Sequence, residues 1–431
     1  MNTPRSSPTP NVGPAPLRSS NTSRGPRTST PSGTGSQPEL LDRYAHSLIP
    51  VFGTPQLVLE RGAGPWVWDT DGKRYLDLVG GIAVNALGHN HPALVAAVSK
   101  QIGEMAHISN FYTSRVQIEL AERLLAIAGA PEGSGVFFAN SGAEAVEGAI
   151  KLSRRTGRTG IVAAEGAFHG RTTGALALTH KAAYREPFAP LIPDVTHVPN
   201  NDIDALRGAV TTDTAAVVLE PVQGEAGAVV ADPAYLRAAR EVTTAAGALL
   251  VIDEVQTGIG RTGDWFGFQE SGIVPDAITL AKGLGGGLPI GALVTFGAHV
   301  TGLLTAGQHG STFSGNPLVA AAGLSVLSTI ESEQLLGHVT AMGEHLVAAV
   351  AALEHPDIVG VRGRGLLRAI VLRSDLSADI AAAAREAGFL VNAVAPDAIR
   401  LVPPLVVTAE ELDLFVAALP SLIATAKESN S

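Results

Sequence analysis

The sequence predicts an α/β protein organised around a mostly parallel, seven-stranded sheet. Three observations predict it. Seven short strand-like runs are rich in apolar residues, and most are too continuous for strands with one wet face. Segments of helical spacing alternate with them. Glycine and unexpected charges gather just after the runs, where ligands bind in open parallel sheets. The runs are GVFFAN (135–140), GIVAAE (160–165), VTHVPN (195–200), AAVVLEP (215–221), ALLVIDE (248–254), AITLA (277–281) and ALVTF (292–296). A helix is expected from Ala143 to about Arg155.

Residues 1–39 are rich in Pro, Ser, Thr and Gly and nearly free of large apolar residues. Such a segment cannot bury enough surface to offset its ordering entropy, and a disordered tail is expected. Its arginines leave a transit peptide as the alternative, against which the prolines and the lack of an amphipathic helix weigh. From Leu40 the pattern is globular. WVWDTDGKRYLDLVGG reads as two strands around the turn Asp71-Gly72. HPALVAAVSKQIGEM and SRVQIELAERLLAIAG have helical spacing, and a long Ala/Leu-rich helix is expected from about Pro317. It leads into a smaller α+β portion: RGLLRAIVL, FLVNAV, AIRLVPPLVV and a terminal helix.

Composition excludes several classes. The formal charge of -10 offers no basic stripe for nucleic acid. The absence of cysteine removes disulfides, thiolate chemistry and Cys-based metal sites. No signal-peptide core and no uninterrupted run of membrane-spanning length is seen, so a cytoplasmic protein without a membrane span is expected.

The strand ends carry the chemistry. Of six lysines, Lys282 alone stands between two apolar runs and beside three glycines, Gly285 to Gly287. Lysine is rarely buried without a partner or a task. Asp253 and Glu254 are equally out of place at the end of ALLVIDE. A structural ion pair between Asp253 and Lys282 is one reading, but such pairs add little net stability. The other is chemical. A desolvated lysine has a lowered pKa and forms imines with carbonyls. Pyridoxal phosphate needs that lysine, an acid for its pyridinium nitrogen and a phosphate cup. Asn140-Ser141-Gly142-Ala143-Glu144 opens a helix and serves either as a plain N-cap or as that cup. Gly166-Ala167-Phe168-His169-Gly170-Arg171 is either a surface loop or a place for a ring and a carboxylate. No P-loop, complete dinucleotide fingerprint or metal-ligand spacing competes, and His89 and His91 of HNHP read as a turn.

In order, GGIAVNALGHNHP, NSGAEAVEGAIK, AFHGRT, EPVQGEAG, VIDEVQTGIGRTG, LAKGLGGGLPIGA, HGSTFSGNPL and IRLVPPLVV resemble the class III aminotransferases, of fold type I among pyridoxal-phosphate enzymes. The resemblance spans about residues 42 to 425. It implies a large domain over 89–320 and a small α+β domain from 40–88 and 321–431. It implies that Lys282 is the imine-forming lysine, that Asp253 pairs with the pyridinium nitrogen and that Gln256 bonds the ring hydroxyl. Glu254 and Val255 of the same motif are expected against the cofactor. Gly142 and Ala143 would cup the phosphate, although many relatives have Thr at the latter position. Phe168 would stack on the ring, and Thr312 would reach the cofactor of a neighbouring subunit, which implies a homodimer with shared sites. Arg171 and Ser311 are expected near the substrate. Glu225 and Arg400 resemble a switch pair in which Arg400 binds the glutamate side and Glu225 neutralises it otherwise.

The amine donor implied is an acylated ornithine, because Ala83 and Val84 leave room for an acyl group. 2-Oxoglutarate is the implied acceptor. 4-Aminobutyrate, ornithine, succinylornithine and succinyldiaminopimelate are the other substrates weighed, with an aminomutase as another reaction. A non-catalytic cofactor-binding scaffold and a cofactor-free lysine aldolase are rivals from other classes; neither needs the full set of Lys282, Asp253 and the cup.

Overall fold

The computed structural model describes residues 35–429. The chain divides into two compact units, Met1–Val58 and Leu59–Ser431. In the first, the expected tail of residues 1–39 falls outside the described residues up to residue 34. Its last residues differ from the expectation: Gln37–Ser47 is a helix, and the Glu39 carboxylate accepts the Ser36 amide at 2.8 Å. The Glu three residues after a serine provided a local start signal.

The second unit is built on the seven strands anticipated. They are β1 (Gly135–Ala139), β2 (Gly160–Ala164), β3 (Val195–Val198), β4 (Thr214–Leu219), β5 (Leu249–Asp253), β6 (Ala277–Leu280) and β7 (Gly291–Thr295). Their order in the sheet is β1-β7-β6-β5-β4-β2-β3. β7 pairs antiparallel with both neighbours, and the other contacts are parallel. β4, β5, β6 and β7 are buried at every position, the mark of a sheet covered on both faces.

Two four-stranded sheets flank this core. One joins Leu59–Ala63, Trp66–Asp69 and Arg74–Asp77 to Phe389–Leu390. The other joins Ile358–Arg364, Leu367–Leu372, Ala398–Leu401 and Asn392–Ala395. The first therefore uses segments from both ends of the chain. Trp66 reinforces this by donating its indole N–H to Glu411 of the last helix at 2.7 Å.

Two local expectations change. The long helix after Pro317 is two helices, Pro317–Ser332 and Leu335–Ala352, separated at Gln334, whose φ is 54°. The second is long and apolar enough, by length and composition alone, to cross a membrane. It carries His338, Glu344 and His345, and it buries Leu335, Val339, Leu346 and Val350 in the main core. FLVNAV is also split, its two short strands belonging to different sheets.

Candidate active site

Six strands run in one direction, and a cavity of about 480 Å³ opens at the carboxyl ends of those other than β3. Lys282 lies at the end of β6 and lines it. Its backbone is left-handed, φ 43°, a conformation uncommon for a residue with a Cβ. The amine has no hydrogen bond or ion pair among the described residues. Desolvation pushes its pKa down to about 8; Arg400 lowers it further, while Glu225, Asp253 and Glu220 oppose.

Asp253 ends β5 and is buried against the same cavity. Its Oδ1 accepts the Val255 amide and the Thr279 hydroxyl, each at 3.0 Å. Its Oδ2 meets His169 Nδ1 at 2.7 Å. His169 is buried and its Nε2 has no partner. Burial opposes charging of the imidazole, but the Asp253 hydrogen bond and the Asp253 and Glu220 charges outweigh it, and the pKa is raised. The carboxylate is thus held by three donors and keeps acceptor capacity toward the cavity.

The cup and the cap are the same structure. Ser141 is the N-cap of the Gly142–Arg154 helix, its Oγ accepting the Glu144 amide at 3.2 Å. Gly142 and Ala143 are the first helical residues, so their amides have no intrahelical acceptor and line the cavity. A Cβ on Gly142 would stand 2.8 Å from the Val255 side chain, which explains the glycine and brings Val255 to the cavity wall.

Among the described residues, Arg400 is the largest fully buried side chain, 1 % exposed. It donates to Glu225 at 2.6 Å, Gln256 at 3.3 Å and Asn392 at 2.9 Å, and its Nε has no partner. Arg171 remains exposed over aromatic rings, 3.6 Å from the Tyr184 centroid and 5.4 Å from that of Phe168. Phe168 lines the cavity.

Five expected residues do not line the cavity; of these, Glu225 and Arg400 join it through Gln256, to which Arg400 donates. Glu254 is a correction: its carboxylate accepts the Gly267 and Phe268 amides at 2.9 and 2.8 Å and the Thr257 hydroxyl, all away from the cavity. Strand alternation sends neighbouring side chains to opposite faces, so Asp253 and Glu254 cannot serve the same one. Burial raises the Glu254 pKa to about 7 against those hydrogen bonds. Ser311 does not line the main cavity; its Oγ accepts Asn140 Nδ2 at 2.7 Å, and it lines a second cavity with Asn110, Phe138 and His309. Thr312 is exposed and lines neither.

Two contributors were not singled out in the sequence reading, Glu220 and Tyr184, and two were named inside motifs without a role of their own, Asn140 and His169. His169 stood inside AFHGRT. Glu220 carried the signal that singled out Asp253, an acid closing an apolar strand. It is buried in the cavity wall and its Oε2 accepts the Phe168 amide at 3.2 Å. Burial pushes it up to about 8, aided by Asp253 and opposed by His169, the Phe168 amide and Lys282. Tyr184 carried no signal, being distant in sequence from the arginine it covers. Among the described residues, no group of three or more His, Cys, Asp or Glu is placed to hold a metal ion.

Among the described residues, the mostly parallel sheet thus sets an amine without a hydrogen-bond partner, its pKa lowered, in one cavity with a buried acid. Residues 51–423 match the class III aminotransferase family. The chain belongs to that family. It is 54 % identical over 395 residues to an acetylornithine aminotransferase of Streptomyces coelicolor, covering 91 % of this chain and 98 % of that one. Among solved structures, the N-acetylornithine aminotransferase of Stenotrophomonas maltophilia matches with a TM-score of 0.78 at 35 % identity, covering 90 % of this chain and all of that one. The ornithine aminotransferase of Toxoplasma gondii matches with a TM-score of 0.86 at 29 % identity, over 92 % and 97 % of the two chains.

Proposed function

We propose that this chain transfers the side-chain amino group of N2-acetyl-L-ornithine to 2-oxoglutarate, yielding N-acetyl-L-glutamate 5-semialdehyde and L-glutamate, a step of arginine biosynthesis. The carrying observation is Lys282, an amine in the cavity with no partner and a pKa lowered to about 8. The names and identities of the relatives support the choice of acetylornithine.

The residues fit pyridoxal phosphate. The Gly142 and Ala143 amides suit its phosphate, a cradle that a Cβ on Gly142 would fill. Asp253 Oδ2, held by His169, suits a ring N–H. Phe168 and Val255 suit the ring faces, and the free side of Gln256 suits its hydroxyl. When bound, the cofactor supplies an aldehyde for the amine and a ring that accepts the electron pair released at the neighbouring carbon.

Lys282, once free, moves the proton from the substrate carbon, a task for which a pKa near the working pH is optimal. Asp253 and His169 hold a negative charge against the ring nitrogen. Arg171 holds a substrate carboxylate. Glu225 neutralises Arg400 while the amine donor is bound and releases it to the carboxylate of 2-oxoglutarate. Ser311, bonded to Asn140 of the cavity wall, would act on the substrate through that residue. Exposed Thr312 suits delivery to the cofactor of a second copy, in a cytoplasmic homodimer. Within the small domain proposed over 40–88 and 321–431, the sheet that joins Leu59–Ala63, Trp66–Asp69 and Arg74–Asp77 to Phe389–Leu390 supports the union of its 59–77 part with the later segment.

The test is the visible spectrum of the purified protein loaded with pyridoxal phosphate. The band is expected to change on adding N-acetylornithine and to return with 2-oxoglutarate. A band that responds only to ornithine or 4-aminobutyrate moves the substrate within the family. No cofactor band after loading overturns the reading.

A further inference from the structure

Four consecutive residues at the edge of the cavity are left-handed. Gly80, Gly81, Ile82 and Ala83 have φ of 52°, 60°, 59° and 62°. Glycine tolerates this; a β-branched isoleucine and an alanine do not do so readily. The run forms a closed turn. The Ile82 and Ala83 amides donate to Val79 O at 2.7 and 3.1 Å, and the Val84 and Asn85 amides donate to Gly80 O at 2.9 Å each. Such backbone persists only where its surroundings over-determine it, and it gathers at functional sites.

The surroundings here are specific. Buried Asp77 precedes the turn, and its Oδ1 accepts the Val79 and Gly80 amides at 3.0 and 2.9 Å. Its Oδ2 meets His89 Nε2 at 2.8 Å, just beyond the turn. His89 is itself fixed: its amide donates to Gly64 O at 2.8 Å, and the Gly64 amide donates to His89 O at 2.9 Å. Gly62 leaves room for the imidazole, since a Cβ there would lie 2.5 Å from it. On the other side, a Cβ on Gly80 would lie 2.7 Å from Val402 O. The turn has a clear geometric result: Ala83 is buried with Val222, Ala228 and Val402, while Val84 lines the cavity. It also stands over the lysine loop, with Ala83 O 3.8 Å from a Cβ built on Gly283.

We propose that Asp77 and His89 act together as positioning residues that latch the Gly80–Ala83 turn in its left-handed form and so set the Val84 wall that receives the far end of the amine donor. This rests on the transaminase reading above. Without the latch, the Val79 and Gly80 amides lose their acceptor, Ile82 and Ala83 relax toward right-handed backbone, and Val84 leaves the wall. Neither latch residue lines the cavity, so the effect is on amine recognition more than on the proton transfer at Lys282.

The experiment compares steady-state kinetics of the full-length parent with Asp77→Ala, Asp77→Asn, His89→Ala and the Asp77→Ala/His89→Ala double variant, using whichever amine the parent turns over best. KM for the amine is expected to rise tenfold or more in Asp77→Ala and about fivefold in His89→Ala, with kcat and KM for 2-oxoglutarate changed less than threefold. The double variant is expected to match Asp77→Ala, because one latch can be broken only once. Unchanged amine KM, equal rises in both KM values, or additive effects would overturn the latch. If Asp77→Ala does not fold, the same split is read from Asp77→Asn and His89→Ala. A parent that turns over no amine contradicts the transaminase reading instead, which keeps the two failures apart.

Discussion

Asp253 and Glu254 are adjacent and both buried, yet they belong to two different regions. Asp253 faces the cavity, where the side chains of His169 and Thr279 and one amide hold it and acceptor capacity is left over. Glu254 faces the packed shell under Gly267 and Phe268, where two backbone amides and a hydroxyl use it. Burial alone therefore does not mark a functional acid. The distinction lies in whether acceptor capacity is left over toward a cavity.

Substitution can break the contrast. Asp253→Ala is expected to lower kcat by about 10³-fold, the scale for losing one preorganised electrostatic partner, with a smaller change in stability. Glu254→Ala is expected to do the reverse: about 3 kcal/mol of stability lost in denaturant unfolding, from buried amides left without an acceptor, with kcat of the folded protein within a few-fold of the parent. Equal loss of kcat in both variants would erase the distinction.

Glu220 sharpens it, being an acid on the cavity side with one backbone partner. Its folded pKa is raised from 4.5 to about 8, so the folded state binds this proton more tightly than the unfolded chain. Its contribution is full below about pH 4.5 and is lost as pH rises toward 8. Glu220→Gln, which cannot ionise, is expected to flatten the fall in melting temperature over that window. An unchanged pH slope would mean that Glu220 is already charged in the folded protein.

Much of this was legible in sequence for identifiable reasons. Continuous apolar runs located six of the strands, because strands buried on both faces leave little else to read, whereas the edge strand β3 mixes Thr196 and His197 with its valines and is buried at Val198 alone. Lys282 and Asp253 stood out as charges in apolar surroundings. The misplacement of Glu254 was avoidable, since a period of two separates neighbours on a strand. The break at Gln334 was not legible, because no glycine or proline marks it. Nor was the left-handed turn, since Ile82 and Ala83 carry no local preference for it and Asp77 and His89 impose it from outside. Tyr184 reaches Arg171 only through tertiary packing.

The most direct measurement is borohydride reduction of the protein loaded with pyridoxal phosphate, followed by proteolysis and peptide mass mapping. The phosphopyridoxyl mass is expected on the peptide carrying Lys282 and not on those carrying Lys73, Lys100, Lys151, Lys181 or Lys427. A label on another lysine, or on none, would contradict the assignment of Lys282 as the reactive amine of the site.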